Sequence, residues 1–259
     1  MEDQFSRIRL TFGNENLQKL AQSRVIIFGI GGVGSYVAEA LARSGIGAID
    51  VVDNDKICLS NINRQLYALY STLGKDKVDV AEQRIHDINP ECKVTKHKIF
   101  FMPENSAQFD FSQFDYIVDC IDTVTGKLEI ITKAKESKTP VISCMGAGNK
   151  VDPTKLQVAD ISRTSVCPLA RVMRNELKKR RIKRLKCVFS TEKVIPPQCE
   201  NVAENEKTDE KCAPATEQKR VFKKQTPGSN AFVPSVAGLM IAAEVVKDLT
   251  QFHVTNLWK

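Results

Sequence analysis

Val25-Ile-Ile-Phe-Gly-Ile-Gly-Gly-Val-Gly34 sets a wholly apolar run directly before four glycines, and Val51-Val-Asp-Asn-Asp-Lys-Ile-Cys-Leu-Ser-Asn-Ile-Asn-Arg-Gln65 follows it. An uninterrupted apolar run of this length suits a parallel strand covered on both faces. Glycine at 29, 31, 32 and 34 allows positive φ and lets backbone N–H groups approach an anion with no Cβ in the way. Ser35 to Ser44 reads as a helix with Val37, Ala40 and Leu41 facing a sheet. A phosphate would then meet the helix N-terminus, where unpaired N–H groups and the helix dipole favour negative charge. Ile49 to Val52 forms the next strand and ends at Asp53, 19 residues after Gly34. A carboxylate that grips ribose hydroxyls stands at an offset of about 20.

Working outward, the same alternation continues. Lys77 to Ile88 carries helical apolar spacing and stops at Asn89-Pro90; Val94 to Ile99 and Tyr116 to Ile121 suggest strands. Lys127 to Glu136 reads as helix, Pro140 to Cys144 as strand, and Phe232 to Val246 as a core helix starting after Pro234. The expected fold is α/β and Rossmann-like: a mainly parallel sheet with helices on both faces, ligands at the carboxyl ends of the strands. After Gly146 the pattern weakens, and a few antiparallel strands carrying substrate contacts are expected there.

The glycine motif alone does not choose between NAD, FAD, a methyl donor and ATP. The second cluster points to ATP. Asp53 and Asp55 flank Asn54, and Ser60, Asn61, Asn63 and Arg64 follow. Arg64 offers a planar, permanently charged fork for phosphate oxygens, and the two asparagines offer neutral donors. Gly74-Lys-Asp-Lys77 opens the next helix beside the same crevice. A dinucleotide site needs one carboxylate and no such cationic set.

These residues resemble the superfamily of ubiquitin-activating enzymes and bacterial adenylyltransferases for sulfur-carrier proteins. The resemblance is carried, in order, by Gly29-x-Gly-Gly-Val-Gly34, Asp53-x-Asp55, Ser60-Asn-x-Asn-Arg-Gln65, Gly74-x-x-Lys77, Ile88-Asn-Pro90 and Asp119-Cys-Ile-Asp122. It implies that Gly32 touches the phosphates and Asp53 the ribose. Asn61, Arg64 and Lys77 would contact the triphosphate, with Thr123 beside them and Asp122 helping to bind Mg²⁺. It also implies a homodimer in which an N-terminal arginine crosses to the partner's ATP; Arg7 fits that spacing best and Arg9 is its rival.

One departure is informative. Activators of this size usually carry two Cys-x-x-Cys pairs for zinc, and the eight cysteines here contain none, so no structural zinc is expected. More specific segments, Arg43-Ser-Gly-Ile-Gly47, Gly146-Ala-Gly-Asn-Lys-Val-Asp-Pro153, Gln157-Val-x-Asp-Ile161 and Cys187-Val-Phe-Ser-Thr-Glu192, look like those of the tRNA threonylcarbamoyladenosine dehydratases. That resemblance implies adenylylation of the threonyl carboxylate by ATP, followed by intramolecular ring closure and release of AMP. No protein nucleophile is needed for such a route. Cys187, just after a basic run, could be read as a reactive thiol, but an ordinary buried cysteine at a strand start is the favoured reading.

The chain has 259 residues, 42% hydrophobic, and a net charge of +7. This suits one adenylating domain over 1–259. Residues 198–230 are polar and poor in aromatics, and read as a mobile insertion. Arg171 to Lys186 holds nine Lys or Arg and one acid. Arg171, Arg174, Lys178, Lys179, Arg180, Arg181, Lys183 and Arg184 are the candidate contacts to a tRNA backbone, where each phosphate contact releases counterions. Eight cysteines without a signal-peptide pattern fit a reducing, cytoplasmic setting. No apolar stretch of about 18 residues exists to span a membrane, which leaves peripheral membrane association open.

Other readings rank lower. An activator of a ubiquitin-like or sulfur-carrier protein, working with a cysteine-desulfurase or carrier system, shares the adenylation but lacks a use for the basic block. A non-catalytic nucleotide-binding scaffold leaves Asp53, Asn61, Arg64, Lys77 and Asp122 without a task. A nicotinamide oxidoreductase leaves the cations without one.

Overall fold

Strand β1 (Arg24–Phe28) lies in the interior of a seven-stranded sheet because Val25 to Phe28 are apolar on both faces. Val25 and Ile27 enter one core; Ile26 and Phe28 enter the other. This is the two-residue alternation of a strand with both faces covered. The computed structural model describes residues 3–196 and 227–252. Its remaining strands are β2 (Ala48–Val52), β3 (Lys93–His97), β4 (Tyr116–Asp119), β5 (Val141–Cys144), β6 (Leu156–Asp160) and β7 (Lys186–Ser190). The order is β3-β2-β1-β4-β5-β7-β6. All neighbours are parallel except β6 and β7.

Helices α2 (Gly34–Arg43), α3 (Lys77–Ile88) and α6 (Val233–Thr250) bury Val37, Leu41, Val78, Ile85, Ile241 and Val245 against one face. On the other face, α4 (Val124–Glu136) and α5 (Pro168–Lys179) bury Ile130, Ile131, Ala170, Met173 and Leu177. Helix α6 can approach α2 closely because Gly238 lacks a side chain: a Cβ there would lie 2.5 Å from the Val33 carbonyl oxygen. Pro234 sits in the first turn of α6, where a missing N–H costs nothing. No described helix is long and apolar enough to cross a membrane.

The α/β reading, with helices on both faces of a mostly parallel sheet, is what the fold shows. Several boundaries shift, among them the end of β4, at Asp119 rather than Ile121. Helix α4 starts three residues before Lys127, α6 runs on to Thr250, and β3 ends at His97 rather than Ile99. The several antiparallel strands expected after Gly146 reduce to one antiparallel pair, since β7 pairs parallel with β5 on its other side. Helix α1 (Ser6–Gln22), broken at Gly13, was not legible because Leu20 is its only fully buried residue. Of the segment 198–230, residues 198–226 lie outside the described residues, and 227–230 run along the cleft below.

Candidate active site

Strand β1 continues to β2 on one side and borders β4 on the other, so the crossovers leave a crevice at the carboxyl ends of β1 and β4. Ligands of open α/β sheets bind at such a switch point. Here it is a cleft of about 720 Å³ lined by Gly29, Gly31, Gly32, Asp53, Asp55, Asn61, Arg64, Lys77, Asp122 and Thr123, among others. That volume falls in the range of small-molecule sites, ~300–1,000 Å³.

The glycines divide by role. Gly29 holds φ +89°, and a Cβ there would sit 3.0 Å from the Cys120 carbonyl oxygen. Gly31 and Gly32 face the cleft. Gly34, expected to share in anion binding, does not line it; a Cβ at 34 would lie 1.8 Å from the Gly29 carbonyl oxygen. Its task is to let the loop fold back on itself. Ser35 Oγ donates to the Gly31 carbonyl and accepts from Leu66 N–H, tying the Asn61–Gln65 segment to the start of α2.

Asp53 accepts from the N–H of Ile30 at 2.7 Å and of Asp55 at 2.9 Å. Burial pushes its carboxyl above the usual range, opposed by Lys77 and by those N–H groups. Lys77, itself buried, is 2.8 Å from Asp55 and 3.8 Å from Asp53. Arg64 donates from Nη1 to the Ser60 carbonyl at 2.7 Å and to Asn63 Oδ1 at 2.9 Å. It makes no carboxylate ion pair among the described residues, and partial burial lowers its pKa while leaving it a cation at neutral pH. Ser60 and Asn63 thus orient Arg64 rather than line the cleft, and Asn63 also donates to the Ser229 carbonyl.

One pairing beneath the cleft was not read from the sequence, although Asp119 stands in the Asp119-Cys-Ile-Asp122 motif. Asp119, at the end of β4, and Lys127, in the first turns of α4, form an ion pair at 3.0 Å with both side chains 0% exposed. Lys127 also donates to the Ile121 carbonyl at 2.8 Å, and Ser143 Oγ donates to Asp119 at 2.5 Å. The turn that presents Asp122 and Thr123 is pinned from below by this pair. The spacing Asp119 to Lys127 carries no motif, so only the fold reveals it. The Gly146–Lys150 loop and the 227–229 segment close the far wall.

Arg7 is exposed on α1 and Arg9 pairs with Asp3; neither lines the cleft of its own chain. In the basic block, Arg171, Lys178, Lys179, Arg180, Arg181, Lys183 and Arg184 are exposed. Arg174 is instead half-buried and donates to the Thr164 carbonyl at 2.7 Å. The first residues of α5, Pro168 and Leu169, line the cleft. Its basic end therefore lies about 18 Å away, at 1.5 Å rise per residue.

Cys187 is fully buried, its thiol donates to the Ala159 carbonyl, and burial pushes its pKa up to about 12. A thiolate is not available there. Cys187→Ser is expected to keep more than about half of turnover, a buried hydroxyl replacing a thiol that holds one weak hydrogen bond. Loss of all turnover in a folded variant, judged by circular dichroism, would contradict this. Cys144 belongs to the core and Cys120 packs against it, and both also line the cleft.

A family model, ThiF, matches residues 5–259. The tRNA threonylcarbamoyladenosine dehydratase of Bacillus subtilis is 46% identical over 251 residues, covering 96% of this chain and 95% of the relative. The E. coli tRNA N6-threonylcarbamoyladenosine dehydratase TcdA superposes in complex with AMP at a TM-score of 0.82 and 34% identity, over 96% of this chain and 94% of that one. Its complex with ATP superposes at 0.81 and 33% identity, with the same coverage. With its glycine loop, its Asp53–Lys77 grip and its switch-point cleft, this chain belongs to the ThiF family, within the group of the tRNA threonylcarbamoyladenosine dehydratases.

Proposed function

We propose that this protein uses ATP to dehydrate N6-threonylcarbamoyladenosine beside the anticodon of tRNA, closing it to the cyclic form. The observation that carries the reading is one cleft gathering Asp53, Arg64, Lys77 and Asp122 around a glycine loop. The full-length similarity to proteins that bear this name supports it. A threonyl carboxylate oxygen attacks the α-phosphorus and pyrophosphate leaves. The carbamoyl group then attacks the acyl carbon and gives up its proton to solvent, the acyl–oxygen bond to phosphate breaks, and AMP departs with the oxygen that would have formed water.

The residues fit ATP chemically. Asp53 keeps lone pairs for ribose hydroxyls, the N–H groups around Gly31 and Gly32 face the phosphates, and Arg64 has donors left over. Positioning alone supplies several kcal/mol to the intramolecular closure, at roughly 7 kcal/mol or more for well-oriented groups. Mg²⁺ fits as well, since it needs only one or two carboxylates beside waters and phosphate oxygens; Asp122 would hold it. Bound there, it would neutralise phosphate charge as pyrophosphate leaves. In a homodimer, Arg7 would reach the partner's nucleotide, and the exposed cations of α5 and the following turn would hold the tRNA backbone. A cytoplasmic location goes with that substrate, and no sulfur transfer enters the route.

Incubation with ATP, Mg²⁺ and threonylcarbamoyl-modified tRNA, followed by nucleoside mass spectrometry, tests this reading. Loss of one water from the nucleoside with stoichiometric AMP is expected. ATP consumption only in the presence of a small carrier protein would replace the reading with carrier activation. Reversing charge at Lys179, Arg180 and Arg181 together is expected to weaken tRNA binding at least about tenfold at roughly 50 mM salt and to flatten its salt dependence. Unchanged affinity would remove those residues from the interface.

A further inference from the structure

Three cations line the cleft, and they are not equivalent. Lys77 is matched by Asp53 and Asp55. The Arg64 guanidinium donates to a carbonyl and an amide oxygen, makes no ion pair among the described residues, and is left for the triphosphate. Lys150, on the loop after β5, is 2% exposed. Its Nζ donates to the Ser190 carbonyl at 3.4 Å and the Glu192 carbonyl at 3.3 Å, and it makes no ion pair among the described residues. An ammonium has three donors, and burying its charge costs several kcal/mol, about the penalty of any buried ion, unless an anion compensates it. Two long bonds to neutral oxygens leave one donor unused, and Glu192, whose carbonyl it meets, spends its own carboxylate on the Val151 and Asp152 N–H groups.

The loop that carries Lys150 is built rather than loose. Asn149 holds a left-handed φ of 56°, its N–H donates to the Gly228 carbonyl at 2.7 Å, and its side chain accepts from Gly228 N–H at 2.6 Å. Asn230 donates to the Lys150 carbonyl at 2.6 Å. Along the sheet, Asp53 follows β2, the glycine loop follows β1, Asp122 follows β4 and Lys150 follows β5. Lys150 therefore lines the cleft on the side away from Asp53, with its ammonium against the end of β7, the neighbour of β5. On the dehydratase reading ATP takes the Asp53 side of the cleft, which leaves this side for the reacting acid.

We infer that Lys150 is the residue that recognises the substrate's carboxylate. Resting on the dehydratase reading, this gives the lysine two effects. It supplies the counter-ion that brings an anionic acid up to an anionic α-phosphate, and it makes the enzyme prefer the modified tRNA over tRNA with plain adenosine at the same position. It is a substrate-binding residue, with no proton transferred and no bond formed to it.

The test measures binding of threonylcarbamoyl-modified and unmodified tRNA, without ATP, to wild type, Lys150→Met, Lys150→Gln and Lys150→Arg. Wild type is expected to prefer the modified tRNA by ~10- to 100-fold, the range for one hydrogen bond to a charged group. Lys150→Met and Lys150→Gln should bind both tRNAs alike and bind ATP as wild type does, and Lys150→Arg should recover part of the preference. Gln keeps a donor for the two carbonyls without the charge, so it remains informative if Met does not fold. Retained preference in Lys150→Gln would overturn the proposal, as would parallel loss of ATP binding that Arg does not restore. If wild type itself shows neither preference nor cyclisation, the dehydratase reading fails instead.

Discussion

Arg64→Ala is expected to lower kcat/KM for adenylylation by about 10²- to 10³-fold, or ~3–4 kcal/mol of transition-state stabilisation, the usual cost of one preorganised donor to developing charge. Arg64 is chosen over Lys77 because it makes no carboxylate ion pair among the described residues. The ammonium of Lys77 already has Asp55 at 2.8 Å, whereas the arginine fork is held ready by the Ser60 carbonyl and Asn63. Holding it costs no reorganisation when negative charge builds on the phosphates. Arg64→Lys should recover only part of the loss, because a point charge cannot reproduce a planar fork. Pyrophosphate release with modified tRNA as substrate measures both. Turnover in Arg64→Ala within about threefold of wild type would mean that the phosphates are neutralised by other groups, on the same transition-state arithmetic.

Lys127→Met should cost the fold about 3–5 kcal/mol, the penalty for removing one partner of a buried ion pair. Asp119 would remain with Ser143 as its main side-chain donor, in a site from which water is excluded. Against a total stability of roughly 5–15 kcal/mol, that is a large fraction. The double variant Asp119→Leu with Lys127→Met should regain much of it, since no lone charge is then buried. Urea unfolding of the two single variants and the double variant reads the coupling, and simple additivity would refute the ion-pair account. The double variant should still bind ATP poorly, because Lys127 also holds the Ile121 carbonyl of the turn that carries Asp122.

The nucleotide cleft was legible because its parts are local. A strand, a glycine loop and a helix N-terminus follow one another within Val25 to Arg43, and the next strand ends on Asp53. The polar run Ser60 to Gln65 showed which residues bear charge but not how they share the work. Only the fold separates Arg64, which lines the cleft, from Ser60 and Asn63, which orient it, and only the approach of Gly34 to the Gly29 carbonyl shows that one glycine of the motif serves packing. The basic block mixes exposed cations with Arg174, which bonds Thr164, and with Lys186, whose Nζ meets Asp248 of α6 at 2.7 Å. Composition cannot tell those apart.

By itself the sequence determined the layered α/β architecture, the place of the cleft and the chemistry it can support, because each depends on short-range pattern: two-residue and 3.6-residue apolar periods, and side chains held near the glycine loop by a few residues of chain. Tertiary structure decided the rest. The Asp119–Lys127 pair, the isolated charge of Lys150 and the burial of Cys187 all depend on which strands become neighbours. A residue's electrostatic surroundings are set by what the crossovers bring beside it, and that information is absent from its neighbours in the chain.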